Sequence, residues 1–257
     1  IIQGGKSVRE LIQVELYKMW KRKCFLLVFI FNGISLLYGL GILLNWSWVS
    51  FNGKFDIIQY IGAIWQLMFL IGLPLIFFMY IGSSILGGEK SDGQILLEIT
   101  RVANRKKLIV AKAMATLLLV LYYFVTNIIV SVISYTCLVH QTIYATPEWV
   151  ILDRENINLL ITCLFGCIYI IISVFFAMYI SIKYGAITAT IAGIALYAAM
   201  SMLARISAIR MYIPGYFALI TDANIELRSI VQQSIWCGII ILFFLHLMKK
   251  KMSDIDL

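Results

Sequence analysis

The sequence predicts an all-α, polytopic membrane protein with six transmembrane helices. Three observations carry the prediction. Apolar residues make up 62% of the 257-residue chain and charged residues only 13%, where a soluble domain carries about 25% charged. The apolar residues fall into six runs close to or beyond the about 20 residues that a spanning helix needs. Lysine and arginine gather at one end of those runs in alternation, the pattern that sets orientation in a bilayer.

The first element is expected outside the membrane core. Residues 7–23 read as an amphipathic helix, with Ser7 and Glu10 at capping-box spacing. Val8, Leu11, Ile12, Leu16, Met19 and Trp20 fall near one face, and Arg9, Gln13, Lys18, Lys21 and Arg22 lie largely off it. Basic residues collect at its C-terminal end, where anionic headgroups would meet them. The helix is therefore expected to lie on the cytoplasmic leaflet before the chain turns inward.

The six spans are expected at 24–44, 57–86, 108–139, 159–182, 185–203 and 230–248. The run 24–44 is too long for the apolar region of a cleaved signal peptide, and no small-residue cleavage site follows it. The second and third spans are long enough to tilt or to project beyond the bilayer. The N-terminal side holds Lys6, Arg9, Lys18, Lys21, Arg22 and Lys23. It also receives Lys90, Arg101, Arg105, Lys106, Lys107 and Lys112, then Lys183, then Lys249, Lys250 and Lys251. The other side holds only Lys54, Arg154, Arg205, Arg210 and Arg228. An even number of spans puts both termini on the basic, cytoplasmic side. This distribution accounts for the formal charge of +8 without a nucleic-acid partner. Trp46, Trp48, Phe51 and Trp149 mark the outer boundary, where amphipathic rings favour the headgroup level.

The middles of the spans carry no Asp, Glu, Lys or Arg. That argues against an ion-coupled carrier and against a membrane-embedded hydrolase, both of which use buried ionisable groups. Asn32, Thr126, Asn127 and Ser131 are expected to hydrogen-bond between helices. The cysteines, Cys24, Cys137, Cys163, Cys167 and Cys237, show no zinc spacing with the two histidines. Cys163 and Cys167, one turn apart, read as small packing residues, and no metal site is expected. The stretch 82–91 imitates a phosphate-binding loop, but Gly88 and Glu89 separate Gly87 from Lys90 and no strand precedes it. The chain therefore shows no nucleotide site of its own.

Between the second and third spans, residues 89–104 are expected to form a short helix outside the membrane. Glu89 and Asp92 suit its N-terminal dipole, and Ile95, Leu96, Ile99, Val102 and Ala103 recur at helical spacing. A merely solvated loop has no use for that apolar stripe, whereas a docking partner has.

At these residues the chain resembles the ABC-2 type permeases, the membrane subunits of ATP-driven exporters. Their corresponding loop typically reads E-x-x-x-G-T, then a leucine-rich turn, then P-x-x-R, then K seven residues on. Glu89, Gly93, Leu97, Arg105 and Lys112 fall on that pattern in register, while Gln94 stands where Thr is usual and Val102 where Pro is usual. With the six spans and the amphipathic N-terminal helix, the resemblance covers nearly all of 1–257 as a single transmembrane domain.

The resemblance implies that 89–104 is a coupling helix, with Glu89, Asp92, Gly93, Gln94, Leu96, Leu97 and Arg105 facing or supporting an ATPase. It implies two ABC ATPase subunits and a second permease, identical or related, in a bacterial plasma membrane. ATP and Mg would sit on the ATPases, with no cofactor in this chain, which would not be an enzyme by itself. It also implies a re-entrant outer segment at 205–229, whose Tyr212, Pro214, Gly215, Tyr216 and Phe217 would form an outer gate. Aromatic residues broken by Pro-Gly fit such an element covered by protein. Gly185, Ala189 and Gly193 repeat every fourth position, which suits close helix packing within the chain or between permeases. The function expected is export of an amphipathic or hydrophobic substrate, a peptide antibiotic or a lipid-like molecule, as in antibiotic immunity or resistance. An ion-coupled secondary transporter and a non-transporting scaffold or assembly factor are the alternatives.

Overall fold

Nine helices build the fold among the residues that the computed structural model describes, 7–47, 49, 53–101, 104–219 and 225–253. Trp48, Phe51, Val102 and Ala103 lie outside the described residues, as do the side chains of Leu96, Ile99 and Arg101. The helices are α1 (Val8–Lys21), α2 (Cys24–Leu43), α3 (Ile57–Ile71), α4 (Leu73–Ser91), α5 (Gln94–Arg101), α6 (Arg105–Val139), α7 (Arg154–Tyr184), α8 (Ala186–Leu203) and α9 (Leu227–Ser253).

Helix α1 starts at the capping box that the sequence predicts. Ser7 Oγ accepts from Glu10 N, and Ser7 N donates to the Glu10 carboxylate. Leu11, Glu15 and Met19 are its buried residues, spaced four apart, and they pack toward α6. The inward stripe thus carries a glutamate, and Trp20, which the sequence pattern groups with the apolar face, stands 66% exposed. The chain then turns through Lys23, which holds a left-handed conformation at φ 57°, and enters α2.

Among the described residues, five continuous helices are long and apolar enough to cross a bilayer: α2, α6, α7, α8 and α9. The pair α3 and α4, bent by 62° at Gly72, is a sixth candidate, with the geometry of a broken span or a re-entrant loop. The sequence predicts one helix over 57–86, and the structure divides it. Pro74 occupies the first turn of α4, where its missing N–H costs nothing, but it cannot donate back to the end of α3.

Helix α7 is the central post. Two thirds of its apolar window (67%) is buried, against 17% for α8 and 11% for α9. It packs on α3, α4, α8 and α9. Trp65, Phe78, Tyr123 and Phe175 fill the core between α3, α4, α6 and α7. Helices α8 and α9 form the outside of the bundle, with Ile191, Ile239 and Leu242 exposed. The small-residue face of α8 is used within the chain. Ala189 is fully buried, and a Cβ on Gly193 would meet Met79 Sδ at 2.9 Å and Ala177 Cβ at 3.2 Å.

Polar span residues bond between helices, as the sequence predicts. Asn32 Nδ2 donates to Thr126 Oγ1 at 2.7 Å, and Asn127 Nδ2 to Asn32 Oδ1 at 3.1 Å. Ser35 Oγ donates to Ser131 Oγ at 3.1 Å. Tyr60 on α3 closes the ladder by donating to the Ser35 carbonyl at 2.7 Å. With no water to satisfy them in an apolar core, such groups fix the register of α2 against α6.

Candidate functional site

Six charged side chains meet where α1, α4, α5 and α6 converge at the basic end of the bundle. Lys112, seven residues into α6, is wholly buried. Its Nζ lies 3.1 Å from Glu15 Oε1 and 3.0 Å from Glu98 Oε2, and it also donates to Glu89. Lys18 is 2.9 Å from Glu15, pairs with Glu98, and is 3.6 Å from Glu89. Arg22 donates to Glu89 Oε1 at 2.8 Å. Three carboxylates thus face three cations, and four helices are tied through them.

The local structure delivers each group. A π-helical turn at Ser84–Gly88 lets α4 run on to Glu89 without a break. Gly87 makes this possible by contact: a Cβ there would stand 2.7 Å from the Ser181 carbonyl oxygen. Lys90 Nζ then donates to the Ile182 carbonyl at 2.9 Å, at the end of α7. Asp92 and Gly93 reverse the chain, with Gly93 at φ 71°, a conformation that favours glycine. Helix α5 follows and returns Glu98 to the cluster. Asn104 caps α6 by accepting from Lys106 N and Lys107 N.

The electrostatics favour full ionisation of the outer members. Burial alone would lower the Lys18 pKa, but hydrogen bonds to Glu98 and Glu15 and the field of Glu89 outweigh it and hold the ammonium well above its ordinary value. Burial alone would raise the Glu98 pKa, but Lys112 and Lys18 outweigh it and hold the carboxyl below its ordinary value. Oxygens of Glu15, Glu89 and Glu98 lie within 4.8 Å of one another, a spacing suited to a cation. The Lys112 ammonium takes that place, since it contacts all three.

The sequence-predicted coupling residues divide between two settings. The expected single helix 89–104 is two pieces broken at Gly93. Glu89 therefore lies at the C-terminal end of α4, buried among Lys112, Lys18 and Arg22, and does not serve as an N-terminal dipole partner of α5. Asp92 and Gln94 are exposed, Leu97 is 63% exposed, and Ile95 is buried. Arg105 opens α6 and is half-buried. The motif thus brings Glu89 and Lys112 together and leaves Asp92, Gln94 and Leu97 on the surface.

Sequence reasoning missed Glu15 and Glu98 as partners, and read Lys18 and Arg22 only as surface charge. Glu15 stood in plain view, midway between Leu11 and Met19 on the buried stripe of α1.

At the opposite end, the described part of the outer segment packs against α7 through Tyr216–Leu219. A 3₁₀ turn at Arg210–Tyr212 and a single helical turn at Tyr216–Leu219 flank Pro214 and Gly215. Pro214, Gly215, Tyr216 and Phe217 are buried, while Tyr212 is exposed. Tyr216 and Phe217 join Phe165 and Tyr169 in one cluster, so they act there as core residues. Asp56 forms a further junction at this end. Its carboxylate caps α3 through Gln59 N at 2.9 Å and accepts from Ile151 N and Asn156 Nδ2, each at 2.8 Å.

No family model, curated protein or solved structure matches the chain. Fold and site together define a helical multi-span membrane protein, with five continuous candidate spans and a sixth that is broken.

Proposed function

We propose that the chain is the permease subunit of an ATP-driven exporter of the ABC-2 type, working with a second permease and two ATPase subunits. The observation that carries the reading is the buried ion cluster. It joins the short helix α5, whose Gln94 and Leu97 are exposed, to the roots of α4 and α6 and to the helix α1. A subunit pressing on α5 from the cytoplasm moves Glu98, and with it Lys112 on α6 and Lys18 on α1. Glu89 passes the same displacement along α4 toward the bend at Gly72. Buried ion pairs suit this role because they hold one geometry and resist being pulled apart.

The substrate class proposed is supported by what the spans offer. They are lined mainly by apolar and aromatic side chains, and Asn32, Ser35 and Tyr60 of the ladder between α2, α3 and α6 bond within the bundle. An amphipathic peptide or lipid-like molecule suits such surfaces, whereas a sugar would leave its hydroxyls unpaired. Export from the cytoplasm or the inner leaflet is the direction proposed, with antibiotic immunity or resistance as its setting.

The test is affinity purification from native membranes, with a photo-cross-linker at Leu97. Capture of a nucleotide-binding subunit through that position supports the reading. A folded chain that brings down no ATPase would leave the ion-coupled carrier or the scaffold in its place.

A further inference from the structure

The elbow between α1 and α2 encloses a cavity of about 500 Å³, within the range of roughly 300–1,000 Å³ typical of ligand sites. Its lining combines two chemistries. Lys21 and Lys23 supply cations. Phe25, Leu26 and Phe29 of α2 and Tyr122 of α6 supply an apolar, aromatic wall. Trp20 stands at the rim, 66% exposed, and its ring lies 6.0 Å from Phe25, which meets Tyr122 edge-on at 5.1 Å.

Four cations close α1 and the elbow, and the ion cluster divides them. Lys18 and Arg22 turn inward to the three glutamates. Lys21 and Lys23 turn to the cavity, and neither has a carboxylate partner among the described residues. The Lys21 ammonium sits over the Tyr17 ring, 5.4 Å from its centroid, a contact that leaves its charge unneutralised. Lys23 occupies the left-handed region at φ 57°, where a lysine is uncommon. That conformation follows the C-cap Arg22 and turns the chain from α1 into α2, which sets the elbow.

We propose that this elbow binds one anionic phospholipid of the leaflet on the basic side. The phosphate meets Lys21 and Lys23, and an acyl chain lies along Phe25, Leu26 and Phe29. Leu26 and Phe29 are 55% and 54% exposed, so the apolar wall is open for a chain to cover. A zwitterionic headgroup would bring a second cation to two unbalanced ammoniums, which disfavours it. A soluble phosphate would satisfy the lysines and leave the aromatic wall bare. Trp20 lies where the two parts join, the level amphipathic rings prefer. The bound lipid would wedge α1 against α2 and so bear on the ion cluster through Lys18 and Arg22.

The experiment uses the full chain in vesicles of phosphatidylcholine with a minor fraction of phosphatidylglycerol. One or the other lipid carries brominated acyl chains, which quench tryptophan at contact. Subtracting the Trp20→Phe signal isolates Trp20. Brominated phosphatidylglycerol should quench Trp20 at roughly a thirtyfold lower mole fraction than brominated phosphatidylcholine, as two lysines near a surface imply. Lys21→Gln with Lys23→Gln should remove that preference, and Lys21→Arg with Lys23→Arg should keep it. Lys106→Gln with Lys107→Gln removes equal charge from exposed positions at the same end, and it should leave the preference intact. Excess inorganic phosphate, at matched ionic strength, should not reverse the quenching. Equal quenching by the two lipids overturns the proposal. So does an equal loss in the Lys106/Lys107 variant, which would mean diffuse surface attraction, or displacement by phosphate, which would mean a free-anion site.

Discussion

Lys112 and Glu15 stand 97 positions apart in sequence, and their Nζ and Oε1 meet at 3.1 Å with neither side chain more than 3% exposed. An ammonium so placed is tolerable only because carboxylates surround it. Lys112→Met leaves Glu15 and Glu89 buried with fewer cations, and should destabilise the fold by about 3–5 kcal/mol. Adding Glu15→Gln to Lys112→Met should recover part of the loss, because the two residues share one network. Thermal unfolding in detergent of the native chain, Lys112→Met, Glu15→Gln and the double variant measures this. Strictly additive losses would contradict the pairing.

The same cluster has a pH signature. The Glu98 pKa is depressed from its ordinary 4.5, so its contribution is present above that value and is lost as pH falls through the lowered one. The Lys18 pKa is raised from its ordinary 10.5, so its contribution is full below that value and is lost as pH rises through the raised one. Stability should be flat through neutrality and fall at both extremes. Glu98→Gln should shallow the acid limb of a melting-temperature profile, and Lys18→Met the alkaline limb.

Helix α5 presents two faces that separate folding from docking. Ile95 is 3% exposed and Leu97 is 63% exposed. Ile95→Asp buries a charge without a partner and should lower the melting temperature sharply. Leu97→Asp should change stability by no more than about 0.5 kcal/mol. If α5 docks on an ATPase, Leu97→Asp should nonetheless cut co-purification of that subunit several-fold. Equal capture of the ATPase by Leu97→Asp and the native chain would exclude this face as the contact.

Much of this architecture is legible in the sequence because a bilayer imposes a single long-period rule. Runs of about 20 apolar residues and the lysine distribution need no tertiary information. The break at Gly72 was hidden because glycine and proline are tolerated inside spans, and hydropathy averages over them. The cluster was half legible. Glu89 and Lys112 are visible as a charged pair 23 residues apart, but Glu15 and Glu98 join them only through the packing of α1 and α5, which no local pattern encodes. The gate at 212–217 is what the resemblance implies, and aromatic composition alone cannot tell a residue that lines an opening from one that packs on a neighbour.

Asp56 gathers three donors from two segments, Gln59 N, Ile151 N and Asn156 Nδ2. Asp56→Ala removes the α3 cap and takes the acceptor from Ile151 N and from one Asn156 Nδ2 hydrogen, while Asn156 Nδ2 still donates to the Ile151 carbonyl. Each unsatisfied group costs about 1–3 kcal/mol, so the loss should exceed the about 1 kcal/mol typical of a cap alone. Asn156→Ala should remove one of the three contacts and cost less. Limited proteolysis of the 141–153 connection should speed up in the order native, Asn156→Ala, Asp56→Ala. Equal rates would show that Asp56 acts on α3 alone.

Tyr212 and Tyr216 test whether the outer segment gates a path or braces the bundle. Tyr216 is fully buried, with the Arg210 guanidinium 5.2 Å from its ring centroid and the Phe217 ring at 5.0 Å. Tyr212 is 55% exposed and touches Trp236 of α9 edge-on at 6.3 Å. Truncating a buried aromatic typically costs about 3–5 kcal/mol, so Tyr216→Ala should reduce the yield of folded protein before any transport is measured. Tyr216→Phe keeps the ring and should keep the fold. Tyr212→Ala should leave stability nearly unchanged, which makes it the informative variant for function. If the exposed edge of this segment meets an exported amphipathic peptide, Tyr212→Ala should shift the protection that cells gain against a panel of such peptides, at unchanged expression. Unaltered protection with Tyr212→Ala, beside a Tyr216→Ala protein that fails only by unfolding, would assign the whole segment to bracing α7 against α9.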